Sequence, residues 1–135
     1  METHFRAGKW ISPKGSAFKV CIESNRLLGI YSTSIGRVEP DQVSYASGLI
    51  NEDLVGLTVA WVGLSSLTTW CGHYEIVDNR ECLKAVWYYA RMYEDERNTI
   101  PLESHRIFHV GQTLFFWEGE LTAEEEVLIK QRAAV

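Results

Sequence analysis

The sequence predicts an all-β fold, an eight-stranded antiparallel up-and-down barrel with a short C-terminal helix. Three observations carry that expectation. Turn-forming clusters recur at short, even intervals along the chain. The segments between them are rich in β-branched and aromatic residues and are joined by hairpin-sized loops. Eight such strands can close on themselves, which removes the exposed edges that would otherwise invite aggregation.

The elements follow in order. Pro13-Lys14-Gly15, Ser24-Asn25-Arg26, Pro40-Asp41, Asn51-Glu52-Asp53, Gly63, Asp78-Asn79-Arg80 and the stretch from Asn98 to Pro101 read as turns or loops. They delimit strands over 5–12, 16–22, 27–33, 42–50, 56–62, 66–77, 82–93 and 104–117. Thr122-Ala123-Glu124-Glu125 has the spacing of a capping box. Acidic residues follow in the first turn, and Lys130 and Arg132 stand near the end, as the helix dipole prefers. A surface helix to about Arg132 is expected. Glu94-Asp95-Glu96 reads as a solvated turn.

A chain of 135 residues, with 46% of them hydrophobic, can bury one core but not two. The expected organisation is therefore a single domain, with residues 1–121 forming the barrel and 122–135 a helical extension of it. A formal net charge of -5 argues against binding nucleic acid, because phosphate neutralisation needs a basic surface. No apolar run approaches the ~20 residues of a membrane span, so no membrane partner is expected. The first residues lack the apolar segment of a signal peptide, so the chain as given reads as cytoplasmic, or secreted if a signal has been removed. Three cysteines, Cys21, Cys71 and Cys82, form no CxxC pair and read as buried structural thiols.

Alternation along each strand sorts side chains by face. Trp10 and Ser12 share one face; so do Ser16, Phe18 and Val20; Tyr31 and Thr33; Val59 and Trp61; Ser66, Thr68 and Trp70; and Trp87 and Tyr89. Each set holds a bulky residue and is a candidate for the barrel interior. A barrel that only had to fill itself would use Val, Ile and Leu. These sets carry four of the five tryptophans together with Ser, Thr and Tyr hydroxyls. Aromatic walls with a few placed polar groups describe a small-molecule site. The other reading is plain core, its hydroxyls paired to backbone.

These pieces resemble the avidin and streptavidin family. Gly8-Lys9-Trp10 is similar to the Gly-x-Trp opening of its first strand, and Gly15-Ser16-Ala17-Phe18 to the start of its second. Gly29-Ile30-Tyr31 followed by Ile35-Gly36 resembles strand three and its loop, and Thr58-Val59-Ala60-Trp61 resembles strand five. Thr68-Thr69-Trp70-Cys71-Gly72-His73-Tyr74 is close to the Thr-Thr-Trp-x-Gly-x-Tyr of strand six. Trp87 sits where strand seven carries a Trp, and Val110-Gly111 resembles the Val-Gly of strand eight. The resemblance implies a homo-oligomer, tetramer or dimer, of barrels that each bind biotin at the open end. Carried over by position, Ser16 and Tyr31 would donate to the ureido oxygen and Thr33 would accept from a ureido nitrogen. Thr68 would face the thiophene sulfur, Ser66 the carboxylate tail, and Trp61, Trp70 and Trp87 would wall the ring.

The chain departs from that pattern at three places. Ser12 replaces an Asn that completes the ureido-oxygen donors. Thr113 replaces an Asp or Asn opposite a ureido nitrogen. His105 stands where a neighbouring subunit's Trp closes the site. The expected ligand-binding set is therefore Ser12, Ser16, Tyr31, Thr33, Trp61, Ser66, Thr68, Trp70, Trp87, Tyr89 and Thr113, for biotin or a related cyclic urea at altered affinity. A second reading is an intracellular cyclase or isomerase in which Ser12, Tyr31, Thr113 and His105 polarise a carbonyl or move a proton. No metal or cofactor is expected. His105 and His109, four apart on one strand, would be separated by ~13 Å, too far to share an ion.

Overall fold

The computed structural model describes residues 3–32, 44–61, 66–91 and 108–133. Its eight strands are β1 (Gly8–Ile11), β2 (Ala17–Glu23), β3 (Arg26–Ser32), β4 (Ser44–Asn51), β5 (Leu54–Ala60), β6 (Ser66–Val77), β7 (Arg80–Arg91) and β8 (Phe108–Trp117). Each strand pairs antiparallel with the next, and β1 returns to β8 to close the barrel. The closure is short. Trp10 opposes Trp117 and Ile11 opposes Phe116, and two further backbone bonds join Lys9 to Gly119 and Glu118, at 2.9 and 2.8 Å.

Three tight hairpins gather at one end because their turns tolerate the left-handed conformation. Asp78 and Asn79 both have positive φ, 51° and 62°, as a type I′ turn requires. Ser24 and Glu52 each supply one such residue to the β2–β3 and β4–β5 turns. The turns expected at Pro40-Asp41, Gly63, Glu94-Asp95-Glu96 and Asn98 to Pro101 lie outside the described residues. The strand expected from residue 5 starts only at Gly8, because φ of +142° there takes the chain out of the pleat.

Residues before Gly8 instead plug the hairpin end of the barrel. Phe5 is buried and stacks on Trp10, with ring centroids 4.6 Å apart. Asp53, in the β4–β5 turn, holds this segment. Its carboxylate accepts from the His4 N–H at 2.5 Å and the Phe5 N–H at 3.2 Å, and it meets His4 Nδ1 at 2.7 Å. Burial opposes ionisation of Asp53, but these contacts outweigh it and hold the carboxyl below its ordinary range. Arg6 pairs with Glu81 and lies over the Trp117 ring, 3.3 Å from its centroid.

The helix α1 (Ala123–Ala133) forms on the expected box. The Thr122 N–H donates to Glu125 Oε1 at 2.9 Å, and the Glu125 N–H donates to Thr122 Oγ1 at 3.1 Å. It does more than lie on the surface, since Ile129 is buried against Cys21 and Ile30 on the outer wall of β2 and β3. Lys19 of β2 bonds Glu125 at 2.5 Å. That ammonium, with the Thr122 N–H, lowers the Glu125 carboxyl to about 2.

A pH dependence follows with a definite sign. A carboxyl lowered in the folded state contributes stability that is complete above its ordinary value and is lost as pH falls from there toward about 2. Lys19 is 35% exposed, and solvent screening limits the contribution to about 1 kcal/mol. Protection of the α1 amides, taken relative to their intrinsic exchange rate at each pH, should fall as pH drops between these values in the native chain and not in Glu125→Gln. An equal acid response in both proteins would remove this pair as its cause.

Candidate functional site

Register assigns the faces, and it does so as the alternation predicts. Trp10 opposes Phe18 and Phe18 opposes Tyr31; Val59 opposes Thr68; Trp70 opposes Trp87 and Thr68 opposes Tyr89; Ala85 opposes Thr113. Directly opposed residues share a face, so all these side chains line the interior. Val20, Leu27, Val55 and Leu83 fill the plugged end. The other end carries the hydroxyls.

Between the two lies a dry aromatic layer. Phe18 is fully buried and has ring centroids 4.4 Å from Tyr31, 4.9 Å from Trp70 and 5.1 Å from Phe115. Tyr31 also meets Trp70 at 4.8 Å and Trp61 at 5.3 Å. The edge-on and tilted arrangements are those that ring quadrupoles favour. This layer is the floor beneath the polar end.

The polar groups above it are placed by short local links. Ser12 Oγ accepts from the Ser16 N–H at 3.1 Å, while the Ser12 N–H donates to Ser16 O at 2.8 Å and the Gly15 N–H to Ser12 O at 3.0 Å. The β1–β2 turn thereby holds both serines buried on the inner wall. Trp61 Nε1 donates to Thr68 Oγ1 at 2.7 Å, which ties the first residue after β5 to the wall of β6. Ser66 Oγ is shut off from solvent and has no hydrogen-bond partner among the described residues. A buried hydroxyl left in this state costs about 1–3 kcal/mol, an unusual cost for a group that only fills space.

Trp87 owes its position to a glycine. A Cβ on Gly111 would fall 2.2 Å from Cζ2 of the Trp87 indole, so the ring occupies the space over the β8 backbone that any other residue would take. Val110-Gly111 is thus a packing requirement of the wall.

Of the expected site residues, Ser12, Ser16, Tyr31, Trp61, Ser66, Thr68, Trp70, Trp87, Tyr89 and Thr113 come together on the inner face. Thr33 and His105 lie outside the described residues. Sequence reading passed over Ser44, which is fully buried opposite Tyr31. The signal was available, since Ser44, Ala46, Gly48 and Ile50 alternate onto one face of β4. It also left Phe115 out of the floor.

The thiols are not reactive groups of this site. Burial pushes Cys21 and Cys82 above their ordinary range, away from thiolate. Cys71 corrects the expectation of three buried cysteines: it is exposed, because its position on β6 alternates with Trp70 onto the outer wall. Among the described side chains at this end, the polar inner groups are hydroxyls and indole N–H groups. By register His109, opposite Tyr89, falls on the same face.

An up-and-down eight-stranded barrel with a hydroxyl and tryptophan lining at one end defines a class, and the comparisons give the same one: the chain belongs to the avidin family, whose sequence profile matches residues 2–115. Its fold is similar to that of apo shwanavidin, at 16% identity with a TM-score of 0.71 over 84% of this chain and 100% of that one. Xenavidin is similar at 23% identity and a TM-score of 0.68, covering 83% and 96% of the two chains. Rhizavidin in complex with biotin is similar at 19% identity and a TM-score of 0.67, covering 83% and 99%. No curated protein matches the chain in sequence.

Proposed function

We propose that the end of the barrel opposite the plug binds a small cyclic ligand, with biotin or a related cyclic urea as the first candidate. The observation that supports this most directly is Ser66 Oγ, closed to water and without a hydrogen-bond partner among the described residues, on the face that Thr68 shares. A ligand polar atom would complete it. Membership of the avidin family and the fold shared with biotin-bound rhizavidin support the choice of ligand. In this reading Ser12, Ser16 and Tyr31 donate to the ligand carbonyl. Thr33, Thr68, Tyr89 and Thr113 meet its other polar atoms, and Trp61, Trp70 and Trp87 enclose its ring.

In this reading the replacements at Ser12 and Thr113 weaken the grip. A hydrogen bond to a charged group is worth about 1.5–3 kcal/mol, so relative to an Asp at this position Thr113 lowers affinity about tenfold to a hundredfold. Titration of the folded protein with biotin, followed by calorimetry and tryptophan fluorescence, tests the reading. Binding with quenching is expected; no heat and no quenching at millimolar biotin would sink it. Tyr31→Phe removes one donor and leaves the ring packed on Phe18 and Trp70, so affinity should fall about fivefold to tenfold. Unaltered affinity would remove Tyr31 from the ligand's partners.

Copies of the chain would pair through the outer wall of β6–β8. Leu67, Tyr88 and Val110 are 44%, 53% and 62% exposed there on three adjacent strands, with Tyr88 between Thr69 and Val110 in register. A contiguous apolar patch of this kind marks an interaction surface. Tyr88→Glu combined with Val110→Glu should sediment as a monomer where the native chain does not. A native chain that already sediments as a monomer would refute the pairing.

A further inference from the structure

We propose that this pocket does not require a second ring N–H from its ligand: it takes rings that offer acceptors, such as cyclic carbamates, as readily as cyclic ureas. The proposal rests on the reading that the inner face holds a cyclic ligand, and it names which chemistry that face selects.

The state of three hydroxyls carries it. A serine or threonine hydroxyl has one proton to donate and two lone pairs to accept with. Ser12 Oγ already accepts from the Ser16 N–H at 3.1 Å, and Thr68 Oγ1 already accepts from Trp61 Nε1 at 2.7 Å. Both donors are fixed, one by the β1–β2 turn and one by the indole ring. Each bond fills accepting capacity and polarises the O–H, which strengthens it as a donor. Neither O–H is needed for these bonds, so both are left to donate. Ser66 Oγ, without a partner among the described residues, brings a third proton. Each of these three hydroxyls therefore has a proton to give to an acceptor on the ligand.

Thr113 completes the case. It stands opposite Ala85, two residues from the Gly111 that seats Trp87, on the same inner wall. A carboxylate at this position could only accept and would demand an N–H from the ligand. A threonine hydroxyl rotates and serves either partner. Replacing one ligand N–H by a ring oxygen removes a donor and leaves an acceptor of the same size, which the hydroxyl meets by turning.

The test compares biotin with its cyclic carbamate analogue, in which one ureido N–H is replaced by oxygen, by calorimetry on the native protein. Affinities within tenfold of each other are expected. Thr113→Asp should then open a preference for biotin of more than tenfold. If biotin binds the native protein and the carbamate is weaker by more than tenfold, the inference is wrong and the reading of a cyclic-urea site stands. If neither ligand binds a protein whose near-ultraviolet circular dichroism shows packed aromatics, the underlying reading fails, and this inference with it. The native ratio decides the question without the variant. An Asp variant that binds both ligands equally would dismiss Thr113 as the specifying position.

Discussion

Phe18→Ala should lower the free energy of unfolding by about 3–5 kcal/mol, the range for truncating a large buried aromatic. Phe18 is fully buried, and it is the hub of the floor, in ring contact with Tyr31, Trp70 and Phe115. Its loss removes burial and leaves a void that a closed barrel cannot collapse, because every strand is hydrogen-bonded on both edges. Three aromatic pairs, worth about 0.5–1.5 kcal/mol each beyond area, go with it. Against a total stability of about 5–15 kcal/mol for a small domain, this is a large share. Urea unfolding followed by tryptophan fluorescence measures it. A loss under 1 kcal/mol would mean that Tyr31 and Trp70 close the gap, and that the floor is softer than its ring contacts imply.

Gly111→Ala should displace Trp87 and weaken ligand binding at least tenfold. The added methyl would stand 2.2 Å from Cζ2 and 2.4 Å from Cε2 of the indole, well inside contact distance. The β8 backbone is held by pairing to β7 on one side, so the ring must move. Overpacking of this kind costs about 1–3 kcal/mol in stability. A wall that has swung aside no longer covers the ligand ring, so the cost appears in affinity as well. Near-ultraviolet circular dichroism reports the ring and calorimetry reports the ligand. Binding at native strength with an altered dichroism band would show that Trp87 packs the barrel without touching the ligand.

The β6 strand has the limits that the sequence predicts, because Ser66, Thr68, Trp70 and Tyr74 share one face between two turn signals. The capping box placed α1 to the residue, since a cap is a local event between a side chain and backbone three positions away. The first strand was drawn too long, because Phe5 and Arg6 fit a strand pattern equally well. What pulls them out of it is Asp53, which is 48 residues from Phe5 in the chain.

The inner faces, the Trp walls and the hydroxyl content were legible from parity alone, because a pleated strand has a period of two and one slip would put every tryptophan into water. The state of those hydroxyls was not legible. That Ser12 and Thr68 have each spent a lone pair, that Ser66 has no partner among the described residues, and that Gly111 clears the space for Trp87 depend on atoms brought together across strands. Composition and alternation determine which groups face inward, since both act along one strand. Closure of the barrel decides how those groups meet, because hydrogen bonds and ring contacts form only at distances that the tertiary fold sets.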